Sequence, residues 1–205
     1  MRCEIWTVFK TGGEYTYQHV LWLQKQLGVP INCLTDAELS NNSNIRPLAL
    51  KHGWSKWWSK IELFRPDIDT DILYFDLDTV ILNLPGKYFN KMKTPIFLLC
   101  VYRKHAGPIN SGMMYLPRGH RHRHTPYKDM LRNPEAVMQK FKGDQDFLDG
   151  YFRSDCVFWQ EIFPGEIKSY KGELRGRSPD KENIIYFHGQ PRPWAVKAEW
   201  IPPLF

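Results

Sequence analysis

Two carboxylates interrupt an apolar run in the stretch Ile72-Leu73-Tyr74-Phe75-Asp76-Leu77-Asp78-Thr79-Val80-Ile81-Leu82. The apolar part has the length of a buried strand, and residues i and i+2 of a strand project to the same face. Asp76 and Asp78 therefore point together from the end of a predicted central strand. Neighbouring carboxylates repel each other, and oxygen ligands suit Mg²⁺ or Mn²⁺, which in turn can hold a diphosphate. The stretch predicts a metal-dependent enzyme; the alternative is a strand that ends in two solvated aspartates.

The length and composition of the chain are those of a folded protein. With 205 residues it can form a substantial core, and we expect one catalytic domain over residues 1–205. Aromatic residues make up 15% of the chain, which is unlike a disordered protein. The 28 Lys and Arg exceed the 22 Asp and Glu by 6, an excess that favours an anionic partner but is too small to imply nucleic acid.

Two further observations predict a cytoplasmic protein without a transmembrane segment. The sequence shows neither the apolar core of a signal peptide nor an apolar run long enough to span a membrane. The four cysteines are scattered, and Cys3, Cys33 and Cys100 lie inside apolar runs, which is typical of buried, reduced thiols. We therefore expect neither a disulfide framework nor a cysteine zinc site.

Strand-like and helix-like segments alternate along the first hundred residues. This alternation predicts an α/β fold in which helices flank a mainly parallel, Rossmann-like central sheet. Besides the strand that starts at Ile72, strands are predicted at 3–9, 30–34, 96–102, 113–116 and 184–187. Helices are predicted at 17–27, 54–64, 134–141 and 144–152, with Gly28 ending the first of them. Loops are predicted at 41–44 and at residues 118–128, here called the basic segment.

Four blocks of the sequence resemble, in order, the motifs of one enzyme family. They are Lys60 in a predicted helix, Asp76-Leu77-Asp78, the predicted turn Asn110-Ser111-Gly112, and Asp144-Gln145-Asp146. The set resembles the nucleotide-sugar glycosyltransferases of the GT-A fold, most closely the retaining glycosyltransferase family 8, which includes glycogenin-like and bacterial galactosyltransferase-like enzymes. The family's last motif, His-x-x-Gly-x-x-Lys-Pro-Trp, is similar to segment 188–194, where the spacing is shorter and Arg192 replaces the lysine. The resemblance covers residues 3–194 and leaves 195–205 as a tail.

The resemblance implies a nucleoside-diphosphate sugar as the donor, foremost a UDP-sugar, and Mn²⁺ or Mg²⁺ as the cofactor. It implies Asp76, Asp78 and His188 as metal ligands, and an imidazole among the ligands favours manganese. Lys60 and Arg192 would neutralise the charge of the leaving diphosphate, although a solvated surface cation is the commoner role of such residues.

The end of the first predicted strand supplies candidates for binding the base, because ligands of open α/β sheets bind at the carboxyl ends of strands. Tyr15 would stack on a uracil-type base and Thr7 would bond its edge; a packing role for Tyr15 is equally open. Gly189 would let the backbone approach a phosphate closely. The full set expected to contact the donor is Thr7, Gly13, Tyr15, Lys60, Asp76, Leu77, Asn110, Ser111, Gly189 and Arg192.

The block Asp144-Gln145-Asp146 is the predicted reaction side of the site. The resemblance places Gln145 near the anomeric carbon and Asp144 or Asp146 on sugar hydroxyls, and it implies transfer with retention of configuration. An amide or carboxylate at that place would stabilise developing positive charge. A helix start with favourably placed acids is the other interpretation, and double displacement and front-face transfer both stay open.

A phosphatase is the rival enzyme. Phe75-Asp76-Leu77-Asp78-Thr79-Val80 also resembles the nucleophile motif of haloacid dehalogenase-like phosphatases, with Asp76 as the nucleophile and Asp78 as the general acid. Asp144 and Asp149 would then imitate that family's distal metal motif. That family usually places its nucleophile near the N-terminus, and the interpretation leaves the blocks at 110–112 and 188–194 unexplained.

The basic segment raises a different class of function, a nucleic-acid-binding module. Its permanent cations are Arg118, Arg121, Arg123 and Lys128, and it lies in sequence between the blocks at 110–112 and 144–146. We therefore expect it to bind a phosphate-bearing acceptor, which can be a glycan, a lipid-linked glycan or modified DNA. A solvated loop without a ligand is the alternative.

Overall fold

The computed structural model describes residues 3–39, 42–90, 92–101 and 109–204. The strands of this part, in chain order, are β1 Glu4–Phe9, β2 Ile31–Thr35, β3 Ile45–Ala49, β4 Ile72–Phe75, β5 Thr79–Ile81, β6 Ile96–Leu99, β7 Ile109–Leu116, β8 Val157–Phe158, β9 Ile167–Ser169 and β10 Ile184–Tyr186. The α-helices are α1 Tyr17–Leu27, α2 Thr125–Arg132, α3 Pro134–Lys140, α4 Asp144–Phe152 and α5 Trp159–Ile162. Tighter 3-10 helices lie at Lys56–Phe64, Gly86–Phe89 and Pro193–Ala195, and a π-helical turn lies at Tyr170–Leu174.

The strands form a seven-stranded sheet in the order β3-β2-β1-β4-β7-β6-β8 and a three-stranded sheet in the order β5-β10-β9. In the large sheet β3, β2, β1 and β4 are parallel to one another, and β8 is parallel to β6. Only β7 runs against its neighbours β4 and β6 among the described pairings of this sheet. The predicted α/β fold with a mainly parallel central sheet is confirmed.

Strand β4 lies in the middle of the large sheet, and its four residues are at most 1% exposed. A continuous apolar run is what a strand covered on both faces requires. Leu73 and Phe75 pack on one side in a core shared with α1, and Ile72 and Tyr74 pack on the other side in a core shared with α2 and α4. The two cores fix the position of β4, and with it the position of the aspartates that follow.

Helix α1 begins and ends where the sequence predicts. Val20, Leu23 and Leu27 form its buried face, and Thr16 and His19 form a capping box at its start. Gly28 ends the helix with φ 65°, a left-handed conformation that favours glycine.

Two predicted segments and one strand that was not predicted differ between the sequence analysis and the structure. The segment 54–64 forms a 3-10 helix from Lys56, not an α-helix. Strand β3 was not predicted, because Arg46 and Pro47 are unusual in a strand; an edge position tolerates both. The strand predicted at 96–102 ends at Leu99, and Tyr102 lies outside the described residues.

The predicted turn at Asn110-Ser111-Gly112 is wrong, because these residues lie inside β7. Local composition favours a turn, yet the pairing of β7 with β4 and β6 holds the segment extended. The register of β7 against β6 shifts between Phe97 and Leu98, opposite this segment. The carbonyl of Gly112 accepts a hydrogen bond from the backbone N–H of Asp76 at 2.8 Å, so β7 carries the segment to the end of β4.

The C-terminal tail packs on the α1 side of the small sheet. The indole N–H of Trp22 donates to the carbonyl of Pro202 at 2.9 Å, and Ile201 is buried. Within the described ranges, the helices are all too short or too polar to cross a bilayer.

Candidate active site

The site begins where β4 ends. Asp76 follows the last residue of β4, and Thr79 opens β5 in the small sheet, so residues 76–78 connect the two sheets. The N–H of Thr79 donates to the carbonyl of Asp76 at 3.2 Å, which closes a turn around Leu77. Leu77 is buried in the core, whereas the carboxylates on either side of it face the site.

Lys60 lies at the centre of a cluster of carboxylates. Its Nζ atom lies 2.9 Å from Oδ1 of Asp76 and 3.5 Å from Oδ2 of Asp144, and its side chain is 12% exposed. Burial alone would lower the pKa of Lys60, but the carboxylates of Asp144 and Asp76 outweigh it and raise the pKa. The lysine is therefore a permanent cation between these carboxylates.

Helix α4 brings the predicted reaction block to the same place. The hydroxyl of Ser111 donates to Oδ2 of Asp144 at 2.5 Å, and the N–H of Ser111 donates to Oε1 of Gln145 at 3.4 Å. Burial raises the pKa of Asp144 and Lys60 opposes the shift. Asp146 is half-buried on the first turn of the helix. The structure thus joins the predicted blocks at 60, 76–78, 110–112 and 144–146.

Asp78 meets the segment that follows β10. Its carboxylate accepts hydrogen bonds from the guanidinium of Arg192 and, at 3.1 Å, from the hydroxyl of Tyr15. Arg192 also pairs with Glu14, and its guanidinium lies 5.4 Å from the centre of the Tyr15 ring. Burial, and then the charge of Asp76, raise the pKa of Asp78 to about 6, although Arg192 acts in the opposite direction. The negative charge at this turn is not fully compensated.

Several predicted residues have other partners here. Thr7 is completely buried, and its hydroxyl donates to the carbonyl of Phe75 at 3.0 Å, so it is occupied within the sheet. His188 lies next to Ser169, whose Oγ is 3.0 Å from Nε2 of the imidazole. Burial, and then Lys171, lower the pKa of His188. Across the described ranges, no three His, Cys, Asp or Glu side chains are arranged to hold a metal, so the ligation of a metal by His188 stays a prediction.

The structure adds residues that sequence patterns missed. The Tyr74 hydroxyl donates to Oδ1 of Asp76, and the alternation within β4 alone did not reveal that role. The ring of Trp194 lies 4.3 Å from that of His19 and 5.9 Å from that of Tyr15. Of the residues that the sequence did predict, Gly189 has φ 62° and Gly13 is exposed on the same two segments. The turn after β1 and the segment after β10 therefore form one wall of the site.

The basic segment, which the sequence predicts as a loop, is partly helical and partly buried. Its last residues belong to α2, which starts at Thr125, and Arg123 is 2% exposed. The guanidinium of Arg123 donates at 2.7 Å to the carbonyl of Leu63, in the last turn of the 3-10 helix, and at 3.4 Å to the carbonyl of Ile68, which follows that helix. Burial lowers the pKa of Arg123 to about 10.

The basic segment also lies at the opposite end of β4 from the candidate site, which does not fit the predicted role in acceptor binding. The N–H of Arg118 donates to Oδ1 of Asp71 at 2.8 Å, and Asp71 precedes β4 whereas Asp76 follows it. A strand of four residues separates these two aspartates by roughly 13 Å or more. Strand β7 leads away from the site, so closeness in sequence to 110–112 does not place the basic segment beside the carboxylates.

Comparison with known proteins identifies the fold. No family model matches the chain. It is 25% identical over 134 residues to inositol phosphorylceramide glucuronosyltransferase 1 of Arabidopsis thaliana, a match that covers 64% of this chain. The match spans 22% of the length of that relative.

Solved structures match over nearly the whole chain. Galactosyltransferase LgtC in complex with donor and acceptor sugar analogues superposes with a TM-score of 0.64 at 12% identity, covering 93% of this chain and 89% of LgtC. Glycosyltransferase GlyE of Streptococcus pneumoniae gives 0.63 at 11% identity, covering 94% of this chain and 56% of GlyE. The mainly parallel seven-stranded sheet of this chain and its flanking helices match that fold, and the fold expected from the sequence is confirmed: this chain has the GT-A glycosyltransferase fold.

Proposed function

We propose that this protein is a glycosyltransferase that moves a sugar from a nucleoside-diphosphate sugar to an acceptor. The observation that carries the proposal is the meeting of Lys60, Asp76, Asp78, Asp144 and Arg192 at the carboxyl end of β4. Ligands of open α/β sheets bind at this edge, and solved proteins of the same fold are glycosyltransferases. The fold gives no support to the phosphatase interpretation, and Asp149 is paired with Arg153, which directly follows α4.

We propose Asp76 and Asp78 as ligands of a divalent cation, Mn²⁺ or Mg²⁺, with His188 as a third. The uncompensated charge at Asp78, whose pKa is about 6 even beside Arg192, fits a site that gains from a cation. A bound cation would neutralise charge on the leaving diphosphate. Lys60 and Arg192 would add their charges to the diphosphate on either side.

We propose that the remaining predicted residues contact the sugar and the nucleotide of the donor. Gln145, Asp144 and Asp146, with Asn110 and Ser111, would orient the donor sugar and stabilise the positive charge that develops at its anomeric carbon. Tyr15, Gly13 and Gly189 would line the nucleotide, for which UDP is the first candidate. Retention of anomeric configuration is proposed from the resemblance to family 8.

The acceptor is proposed only as a glycan or glycoconjugate. The position of the basic segment removes the reason for expecting a phosphate-bearing acceptor or DNA at that segment. The proposal also includes one catalytic domain over residues 1–205 and a cytoplasmic location. The structure shows all four cysteines as free thiols.

A screen of nucleotide sugars with Mn²⁺ tests the proposal through release of the nucleoside diphosphate. We expect release from one or a few donors, and proton NMR of the product should show the configuration of the donor. Absence of release from every donor, or an undiminished rate in Asp76→Asn, would contradict the proposed function. Inversion at the anomeric carbon would contradict only the family 8 assignment.

A further inference from the structure

Trp57 differs from every other tryptophan of this chain. Its side chain is 44% exposed, whereas the other seven tryptophans are buried or half-buried. A single exposed apolar residue needs no explanation by itself. The surroundings of Trp57 do require an explanation, because they hold its indole beside the candidate active site.

The 3-10 geometry of Lys56–Phe64 sets the direction of Trp57. Residues i and i+3 of a 3-10 helix lie on the same side, so Trp57 and Lys60 share a face and are about 6 Å apart along the axis. Because Lys60 lies among the carboxylates of Asp76 and Asp144, Trp57 lies one turn outward from that cluster.

Helix α4 borders the same indole. A Cβ atom built on Gly143 would lie 3.1 Å from Nε1 of Trp57, so the indole packs closely against the start of α4 and a larger residue at 143 would require a small shift. Gly143 directly precedes Asp144 and Gln145, the predicted reaction side. Trp57 thus lies at the outer rim of the site, with the proposed donor-contacting residues further inside.

The backbone before Trp57 is held in an unusual conformation. Lys56 has φ 53°, a left-handed value that is uncommon for residues other than glycine. Its ammonium lies 5.5 Å from the centre of the Trp57 ring. Strained backbone persists where surrounding structure imposes it and clusters at ligand sites. A strained turn that presents an exposed indole at the rim of a site therefore points to a ligand.

We propose that Trp57 is a stacking platform for a pyranose ring of the acceptor. One face of a pyranose exposes C–H groups, which pack on the electron-rich face of an indole. The donor diphosphate would lie inward, near Lys60 and Arg192, so the outward position leaves Trp57 to the acceptor. This inference rests on the proposed function for the identity of the inner site, but the carbohydrate contact can be tested separately.

The direct test uses protein labelled with ¹⁵N at tryptophan and titrated with the methyl pyranosides of glucose, galactose, mannose and N-acetylglucosamine, each to tens of millimolar, with UDP and Mn²⁺ present. Trp57→Phe and Trp200→Phe assign the two indole N–H signals. We expect at least one pyranoside to shift the Trp57 signal while the Trp200 signal stays unchanged. Absence of a Trp57 shift with all four sugars would overturn the inference.

Kinetics with the sugar that shifts the signal provide the second test. Trp57→Ala should raise the acceptor KM about tenfold, the size expected for loss of an aromatic contact, and Trp57→Phe should restore most of it. Nucleotide release without acceptor should be unchanged in both, and Leu131→Ala, which removes another exposed apolar side chain, is the control. Equal losses in transfer and in release without acceptor would overturn the inference. If the Trp57 signal shifts but no donor is turned over, the proposed function fails and the carbohydrate contact stands.

Discussion

Charged side chains cluster at both ends of β4, but the two clusters differ in how far the charges are neutralised by neighbouring groups. Before the strand, Arg123 donates to two backbone carbonyls, and Arg118 and Arg121 pair with Asp69 and Asp155. After the strand, the three carboxylates of Asp76, Asp78 and Asp144 share Lys60 and Arg192, and Arg192 is also bound to Glu14.

The difference separates a structural cluster from a candidate site. At the first end Arg118, Arg121 and Arg123 each have an acceptor, and Arg123 and His124 bind carbonyls at the end of the 3-10 helix, which joins the segment before α2 to that helix. At the second end crowding persists, since burial and Asp76 together raise the pKa of Asp78 to about 6. Perturbed pKa values are common at functional sites, but burial also lowers the pKa of Arg123 at the first end. The crowding of like charges, and not a pKa shift alone, therefore separates the two ends. The number of charged residues in each segment of the sequence does not show which of the two clusters is structural and which is the candidate site.

The largest effect is expected from Asp76→Asn. Loss of one carboxylate should lower nucleotide release from the donor by about 10²-fold or more, the size typical of removing a group that stabilises charge in a transition state. Asp69→Asn, at the other end of β4, is the matched control and should leave the rate unchanged, because Asp69 is 70% exposed and pairs with Arg118 at the surface. Similar losses in the two variants would remove the distinction between the ends.

The second effect concerns stability. Arg123→Ala should lower the free energy of unfolding by about 2–4 kcal/mol, because it leaves two carbonyls without a donor and a cavity beside Phe64. Urea unfolding measures it, with the exposed Arg121→Ala as the control. Nucleotide release per folded molecule should be unchanged at low temperature, and a loss of activity without a loss of stability would contradict a structural role.

The third effect is a pH dependence at the carboxylate end, measured without divalent ions. The folded protein holds the proton of Asp78 to about pH 6, whereas an ordinary aspartate has a pKa of 3.8. The stability that this group contributes is therefore fully present below pH 4 and is lost as the pH rises through 6. Asp78→Asn should melt a few degrees above the wild type at pH 7.5, and the difference should shrink towards pH 4. A difference that grows on acidification would show that Arg192 already compensates the charge.

The smallest effect is expected from the double variant Arg118→Ser and Arg121→Ser. Both side chains are exposed and their ion pairs are at the surface, so the free energy of unfolding should change by less than about 0.5 kcal/mol. The acceptor KM should also be unchanged, contrary to the role expected from the sequence. A strong rise in the acceptor KM would bring back the basic segment as an acceptor site.

Much of the fold could be predicted from the sequence. Helix α1 and the apolar run of β4 are set by local periodicity and by residues such as Gly28, and they were located correctly. Strand β3 and the strand conformation of 110–112 depend on pairing with distant strands, which no local pattern records. The same holds for Lys56–Phe64, where tertiary packing selects a 3-10 helix for a spacing that also fits an α-helix.

The sequence predicted which residues belong to the site better than it predicted the contacts between them. Same-face spacing identified Asp76 and Asp78, and the order of motifs identified Lys60 and Asp144 as their neighbours. The bond of Thr7 to Phe75 and the placement of the basic segment at the opposite edge could not be foreseen, because both follow from which strands are adjacent. Trp57 was predicted only as part of a helix face, since its exposure is a property of the folded chain.

A crystal structure with UDP and Mn²⁺ tests the central claim most directly, namely that the carboxyl end of β4 is the donor site. We expect the diphosphate between Lys60 and Arg192, the metal on Asp76 and Asp78, and the ion pair of Arg192 with Asp78 broken. A diphosphate bound at the basic segment, with the pairs of Lys60 and Arg192 intact, would contradict the claim.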